Sequence, residues 1–225
     1  MDSRQARSEA TQQALMTTAV KLIADRGIEN VSIRDIVSTA GQKNESALQY
    51  HFKNLKGLIG AIHASRAAEI QAKRAELLQH LGKRTVDPSL RDICKLMVEP
   101  AYLLAKSNTD FRRYVKAFGH EITLTDQSAV ALVSNRGGQS AQQMSALLRA
   151  ALSHLDEAAL QRRMDGALRF VSASMVHQAR QKNGFRGAQA DLFFNSLIDA
   201  LVGLLGAAES DETIAIANAN AIDHK

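Results

Sequence analysis

The chain reads as an all-α protein of about nine helices. Apolar residues recur at helical spacing along most of the 225 residues, and no stretch of strict alternation is long enough to argue a sheet. Glycines and capping residues punctuate the pattern where helices should stop and start. With 45% hydrophobic residues, two Pro and one Cys, the composition suits a packed globule and excludes a disordered chain or a disulfide scaffold.

The first helix is expected over roughly 9–26, with Ala14, Leu15, Thr18, Ala19, Leu22 and Ile23 on one stripe and Gly27 as its stop. Ser32 and Asp35 have the spacing of a capping box, and Ile33, Ile36, Val37 and Ala40 give a two-turn helix ended by Gly41. Asn44 is the next candidate cap, opening a short helix through Glu45, Ala47, Leu48 and Tyr50. Asn54 can cap a long fourth helix that carries Leu55, Leu58, Ile59 and Ile62, then Leu77, Leu78 and Leu81, up to Gly82. At 1.5 Å per residue it would be roughly 40 Å long, enough to serve two domains.

Asp87-Pro88 restarts the chain as a cap followed by an N1 proline. A stripe of Leu90, Ile93, Cys94, Met97 and Val98 follows, and Pro100 is expected to kink or end it. Phe111, Tyr114, Val115 and Phe118 mark a short aromatic helix, Asn135 to Gly138 reads as a loop, and Met144, Leu147, Leu148, Ala151 and Leu152 mark another helix. The last two helices fall at about 156–182 and 188–208, and a loose tail is expected from Glu209 onward.

The formal charge of +5 is unevenly placed. The first 86 residues hold 13 basic and 8 acidic side chains, while residues 87 to 225 hold 15 of each. A basic first part followed by a neutral remainder suggests a polyanion partner for the first part, although a chance imbalance on a solvated surface would look the same. The polar N-terminus is no secretion signal, no apolar run approaches a membrane span, and the lone Cys94 agrees with a reducing compartment. A soluble cytoplasmic protein with no membrane partner is the expectation.

The informative stretch is Ser32 to Lys56, SIRDIVSTAGQKNESALQYHFKNLK. It combines a capped two-turn helix, a glycine-bearing turn and a second short helix. Ala47 and Leu48 can face inward while Lys43, Asn44, Ser46 and Gln49 face out. Small and amide side chains on a short helix suit a DNA major groove, where amides read adenine and lysine reads guanine.

In Ile33-Arg34-Asp35-Ile36, Ala40-Gly41 and above all Tyr50-His51-Phe52-Lys53-Asn54-Leu55-Lys56-Gly57-Leu58, the sequence resembles the TetR family of bacterial transcriptional regulators. The match covers about residues 10 to 60. It departs from the commonest family pattern in a turn one residue longer between Gly41 and His51, in Gln42 where an apolar residue is usual, and in Val37 where Ala is more frequent. The resemblance implies a three-helix DNA-binding domain with a helix-turn-helix over 1–56 and a ligand-binding and dimerisation domain over 57–225.

By the same resemblance, Ser32 caps helix two near a phosphate, a position its plain capping role also explains. Arg34 reaches phosphate or stays in solvent as a partner of Asp35. Lys43, Asn44, Ser46 and Gln49 are the candidate base readers, Tyr50 touches the DNA backbone through its hydroxyl, and Lys53 and Lys56 hold phosphates at the start of helix four. His51 packs between helices three and four and Phe52 belongs to the core. Arg4 and Arg7 form either a flexible arm in an adjacent groove or a disordered tail. Glu45 favours the helix N-terminus but repels phosphate unless it accepts from a cytosine amine.

The last helix is apolar on nearly all sides and must be covered all round. Ala200, Gly203 and Gly206 would permit close approach of a second helix. In the resembling family the last two helices form a four-helix bundle across a two-fold axis. This assigns a dimer interface to Met164, Leu168, Val171, Phe194, Leu197, Leu201, Leu204 and Leu205; a buried intramolecular hairpin is the other reading. The resemblance also implies a pocket for a small-molecule effector among Met97, Tyr102, Phe111, Tyr114, Phe118, Met144, Phe170 and Met175, residues that plain core packing would equally explain. His120 and His177 could give such a pocket polarity, or serve as structural residues.

An enzyme is not expected. None of the seven histidines (51, 63, 80, 120, 154, 177 and 224) follows a Glu by three residues, as a carboxylate-bridged metal bundle requires. Phosphate loops, dinucleotide glycine motifs and nucleophile elbows are missing too. No cofactor is expected. The sequence therefore points to a homodimeric repressor, released from a near-palindromic operator in double-stranded DNA by a small molecule, with a helical ligand-binding or adaptor protein that does not bind DNA as the alternative.

Overall fold

The computed structural model describes residues 3–223, so His224 lies outside the described residues. Among them are eleven α-helices and no strand: α1 (Ser3–Arg26), α2 (Ile33–Thr39), α3 (Ser46–Phe52), α4 (Leu55–Arg84), α5 (Leu90–Ser107), α6 (Thr109–Phe118), α7 (Glu121–Leu124), α8 (Ala129–Ala151), α9 (Glu157–Arg180), α10 (Gly187–Gly206) and α11 (Asp211–Asp223). The two helices beyond the expected nine are the four-residue α7 and α11, which occupies the tail expected to be loose.

Several boundaries move for identifiable reasons. α1 begins at Ser3, which places Arg4 and Arg7 on a helix instead of in an arm or tail. Its first turns contain no Gly or Pro, and Gln5 donates to Glu9 one turn on at 3.1 Å. α4 runs past Gly82 to Arg84. α5 is capped by Ser89 instead of Asp87: Ser89 and Asp92 form a capping box, with the two side-chain oxygens 2.6 Å apart. The loop expected at Asn135 to Gly138 is a break inside α8, where Gly138 takes φ 58°, ψ −163°. The positive φ is what calls for glycine here; the Gln71 side-chain end of α4 lies against it, 2.1 Å from where a Cβ would stand.

Pro100 does not end α5; it sits buried inside it. Having no N–H, it leaves the carbonyl of Leu96 without its helical partner. The buried Arg74 of α4 supplies the missing donor, Nε to Leu96 O at 3.2 Å. Burial pushes the Arg74 pKa below its ordinary value.

The chain has two cores. Leu15, Ala19, Ile23, Ile36, Leu48, Phe52, Leu58 and Ile62 build the N-terminal one, into which α6 inserts Phe118. Ile93, Tyr102, Phe111, Leu148, Ile198 and Leu201 anchor the larger second core, together with Cys94, whose thiol burial pushes up to about 12. α4 contributes to both cores: Leu58 and Ile62 to the first, Leu81 to the second. Between them sits His63, 7% exposed, with Nδ1 3.1 Å from the Tyr114 hydroxyl of α6 and Nε2 3.1 Å from Glu121 Oε1 of α7. α1 packs along α6, so the small unit meets the body through α1 as well as α4.

By length and composition α10 could cross a membrane, with a mean hydropathy of 1.3 over its window. Its two carboxylates tie it to α5: Asp191 accepts from Lys106 (2.6 Å) and from the Tyr102 hydroxyl (3.1 Å), and Asp199 pairs with Arg91.

Candidate nucleic-acid interface

α2 starts where the sequence places it. Ser32 accepts from Asp35 N at 3.1 Å and Asp35 Oδ2 accepts from Ser32 N at 3.0 Å; the Ser32 hydroxyl also holds the Asp35 carboxyl below the usual range. After Ala40 the chain reverses through Gly41 at φ 71°, and Gln42 N closes the turn on Val37 O at 3.0 Å. The Gln42 side chain is half-buried and folds back onto Ala40 O at 3.4 Å, so the longer turn is closed by polar bonds instead of an apolar plug.

α3 begins one residue later than expected and runs on to Phe52. Asn44 does not open the helix, which starts at Ser46, but its Oδ1 accepts from Ser46 N at 3.1 Å and so still satisfies a first-turn donor. Leu48 and Phe52 anchor α3 in the core. This leaves Lys43, Asn44, Glu45, Ser46, Gln49 and Tyr50 exposed, Tyr50 by 82%. The His51 ring is half-buried and meets Tyr50 edge-on, with centroids 5.0 Å apart. The N-terminal turns of α1 reach the same place: Arg4, Arg7 and Glu9 line one groove with Tyr50 and His51.

The corner from α3 to α4 is tight. Asn54 N bonds Phe52 O at 2.8 Å across Lys53, which sits at φ 68°, ψ −48°. These are the marks of a classical γ-turn, a rare and strained form. Asn54 then caps α4 by accepting from Gly57 N at 2.9 Å. A Cβ on Gly57 would fall 1.9 Å from Phe52 O, which explains the glycine in this run. The corner leaves Lys53 and Lys56 exposed beside an α4 first turn that contains no acidic residue.

All nine residues picked from the sequence for DNA contact, Ser32, Arg34, Lys43, Asn44, Ser46, Gln49, Tyr50, Lys53 and Lys56, are exposed. Among the described residues, Arg34, Lys43, Lys53 and Lys56 have no ion pair within 4 Å, although Arg34 lies close enough to Asp35 to help hold its carboxyl below the usual range. Sequence reading missed the strained corner at Lys53, because nothing about a lysine announces a positive φ.

The other two residue sets lie in the body. Of the effector set, Met97, Tyr102, Phe111, Tyr114, Met144 and Met175 belong to or pack on the second core; Phe170 is 36% exposed, and Phe118 lines a cavity at the junction with α1. Tyr102 stacks on Phe194 with centroids 4.6 Å apart, and burial pushes the Tyr114 hydroxyl up to about 12. Of the interface set, Leu197, Leu201 and Leu205 are buried within the protomer, whereas Met164, Leu168, Val171, Phe194 and Leu204 are half-buried. The outward side of α9 and α10 carries Gly166, Phe170, Ala173, Leu192, Ala200 and Gly203, all exposed. His120 is half-buried at the α6–α7 turn, and His177 is exposed beside Gln181. Among the described residues, no three His, Cys, Asp or Glu side chains are grouped as metal ligands.

The family model for bacterial regulatory proteins of the tetR family matches residues 15–62, and the model for the tetracyclin repressor-like C-terminal domain matches residues 95–208, just over half of the chain. No curated protein matches. Among solved structures, a TetR family transcription regulator from Marinobacter aquaeolei VT8 superposes with a TM-score of 0.56 at 16% identity, covering 87% of this chain and 97% of that one. A putative TetR-family transcriptional regulator from Rhodococcus sp. gives 0.53 at 14% identity, covering 89% and 99%. At such identities the likeness is one of fold; membership rests on the family models. The helix-turn-helix and the helical body thus carry one conclusion: this chain belongs to the TetR family of bacterial regulators and is a DNA-binding transcriptional regulator.

Proposed function

We propose that the protein is a cytoplasmic homodimeric repressor, without enzymatic activity, that leaves a near-palindromic operator when a small molecule binds. The observation that carries the reading is the pairing of an exposed polar α3, flanked by uncompensated cations, with an outward apolar side on α9 and α10. In this reading residues 1–56 form the DNA-binding domain and residues 57–225 the ligand-binding and dimerisation domain, α4 being shared in packing.

Lys43, Asn44, Ser46 and Gln49 face the base edges, while Ser32, Arg34, Tyr50, Lys53 and Lys56 hold the phosphate backbone. Glu45, exposed at the start of α3, accepts from a cytosine amine. Two copies meet through α9 and α10, where Gly166 and Gly203 have open space around them and allow close helix approach. Such a dimer sets two α3 helices about one or more turns of DNA apart, roughly 34 to 36 Å or a multiple.

The test is titration of the purified protein with a DNA fragment from upstream of its own gene, repeated at several salt concentrations. Saturable binding, with log affinity falling linearly against log salt and a protected near-palindrome, is expected. A protein that stays dimeric yet binds this fragment no better than random DNA would overturn the operator reading.

A further inference from the structure

We propose that the junction between the small unit and the body binds an amphipathic organic anion, its apolar chain in a cavity between α1 and α6–α8 and its acidic head on a basic pocket beside it. The proposal deepens the ligand-responsive reading above by naming a site and a chemical class.

The cavity measures about 700 Å³. Ile23 and Ile28 line it from the side of α1, and Leu124 and Leu132 from the side of the body. Ile28 is 42% exposed and Leu124 75%, so two large apolar side chains at this cavity lack cover. A volume of this order is normal for a small-molecule site.

The neighbouring pocket, about 260 Å³, supplies charge. Arg112, Arg113, Lys116, Lys182 and Arg186 line it, and none of its lining residues is acidic. Lys116 lines both spaces, and Arg180, at the end of α9, lines the larger one. Arg113 is paired with Asp110 at 2.8 Å, Arg112 donates to Ala105 O and Thr109, and Lys116 has only a long contact with Asp25 at 3.8 Å. Among the described residues, the side chains of Arg180, Lys182 and Arg186 have no hydrogen-bond or ion-pair partner. They are carried on a closely closed turn: a Cβ on Gly184 would lie 1.9 Å from Gln178 O.

The carboxylates of the larger cavity fix which way an anion would lie. Glu121 is engaged by His63 at 3.1 Å and Arg136 at 3.7 Å, and Glu29 folds over Gly27. With Glu121 already held by His63 and Arg136, an acidic head meets repulsion from Glu29 on that side and is drawn to the Lys116 end, where carboxylate or phosphate oxygens would find several N–H donors. Because the walls of the cavity belong to both units, an occupant whose affinity depends on their spacing would change DNA affinity.

Calorimetry on the full-length protein, with dodecanoate and dodecyl phosphate below micelle formation and dodecanol as the uncharged control, tests the site. Both anions should bind and dodecanol at least about tenfold more weakly. Combined Arg180→Ala, Lys182→Ala and Arg186→Ala changes, at side chains that hold nothing in the fold, should weaken both anions about tenfold and leave dodecanol unchanged. Leu124→Asp should weaken all three. Failure of both anions to bind, or full affinity in the triple variant, would overturn the proposal. Binding to promoter DNA, measured without the probes, judges the regulator reading separately, and a loss of that binding on adding dodecanoate or dodecyl phosphate would extend the support to both.

Discussion

Basic side chains behave differently in the two halves of this protein. In the helix-turn-helix, Lys43, Lys53 and Lys56 stand exposed with no carboxylate partner among the described residues, and Arg34 makes no ion pair within 4 Å, only a through-space interaction with Asp35. In the body, cations are engaged across and along helices: Arg91 with Asp199, Lys106 with Asp191, Arg162 with Glu209, Arg169 with Asp165. Exposed pairs of this kind add little stability, but they neutralise the surface and fix neighbouring helices. Unpaired cations do the opposite, since they keep a positive field available to a polyanion. Net charge alone conceals this division, and the basic pocket at the end of α9 is a place where the body departs from its own rule.

If the body serves geometry and the small unit serves contact, the largest loss should come from breaking the geometry while leaving every contact residue in place. Gly203→Arg puts a long charged side chain on the outward side of α10, where open space surrounds the glycine. The variant should fold but sediment as a monomer, and its operator affinity should fall by at least about a hundredfold, because two half-sites are no longer bound together. A fully dimeric Gly203→Arg protein would show that the copies meet elsewhere.

Charge in the body can also be structural in a stricter sense. Arg74→Met removes the donor to the Leu96 carbonyl that Pro100 leaves free, and should destabilise by about 2 kcal/mol. Adding Pro100→Ala restores a helical N–H to that carbonyl and should recover much of the loss, as a double-mutant cycle of denaturation midpoints would register. Additive effects would break the link.

Contact residues should respond through salt instead. Lys56→Ala should weaken binding to every DNA sequence and lower the salt slope by about two per dimer, one for each copy. Tyr50→Phe should weaken all sequences without changing that slope, and Gln49→Ala should alter the preferred sequence. Lys106→Ala, a paired cation of the body, should leave affinity and slope unchanged. A slope that moves as much for Lys106→Ala as for Lys56→Ala would erase the contrast between the halves.

The small unit was more legible in the sequence than the body because its signals are local. Ser32 and Asp35 announce a cap, Gly41 a turn, and Leu48 and Phe52 a buried side, each within a few residues. In the body the deciding partners are distant. Pro100 reads as a break until Arg74, 26 positions earlier, is seen to complete its turn. The glycine break in α8 reads as a loop until the helix is seen to continue on both sides of a single non-helical residue, Gly138. Leu197, Leu201 and Leu205 belong to the apolar surface of α10 by pattern, but periodicity does not say which side of an all-round apolar helix meets its own domain. α7 has only four residues and too little pattern to register.

The smallest effect expected here distinguishes strain from charge at one residue. Lys53 holds a positive φ that a side chain with a Cβ resists, and the γ-turn it makes brings Phe52 O within 2.8 Å of Asn54 N, at the point where α4 begins. Lys53→Gly should therefore raise stability by about 1 kcal/mol, since glycine takes such angles freely. If the strain only shapes the corner, DNA binding should lose no more than the lysine's own share, a salt-slope drop close to that of Lys56→Ala. A variant that is more stable, keeps its salt slope and still loses affinity would mean that the rigidity of the turn, and not the ammonium group, positions α3 against α4. Lys53→Ala keeps the strain and removes the charge, so comparing the two variants separates the contributions.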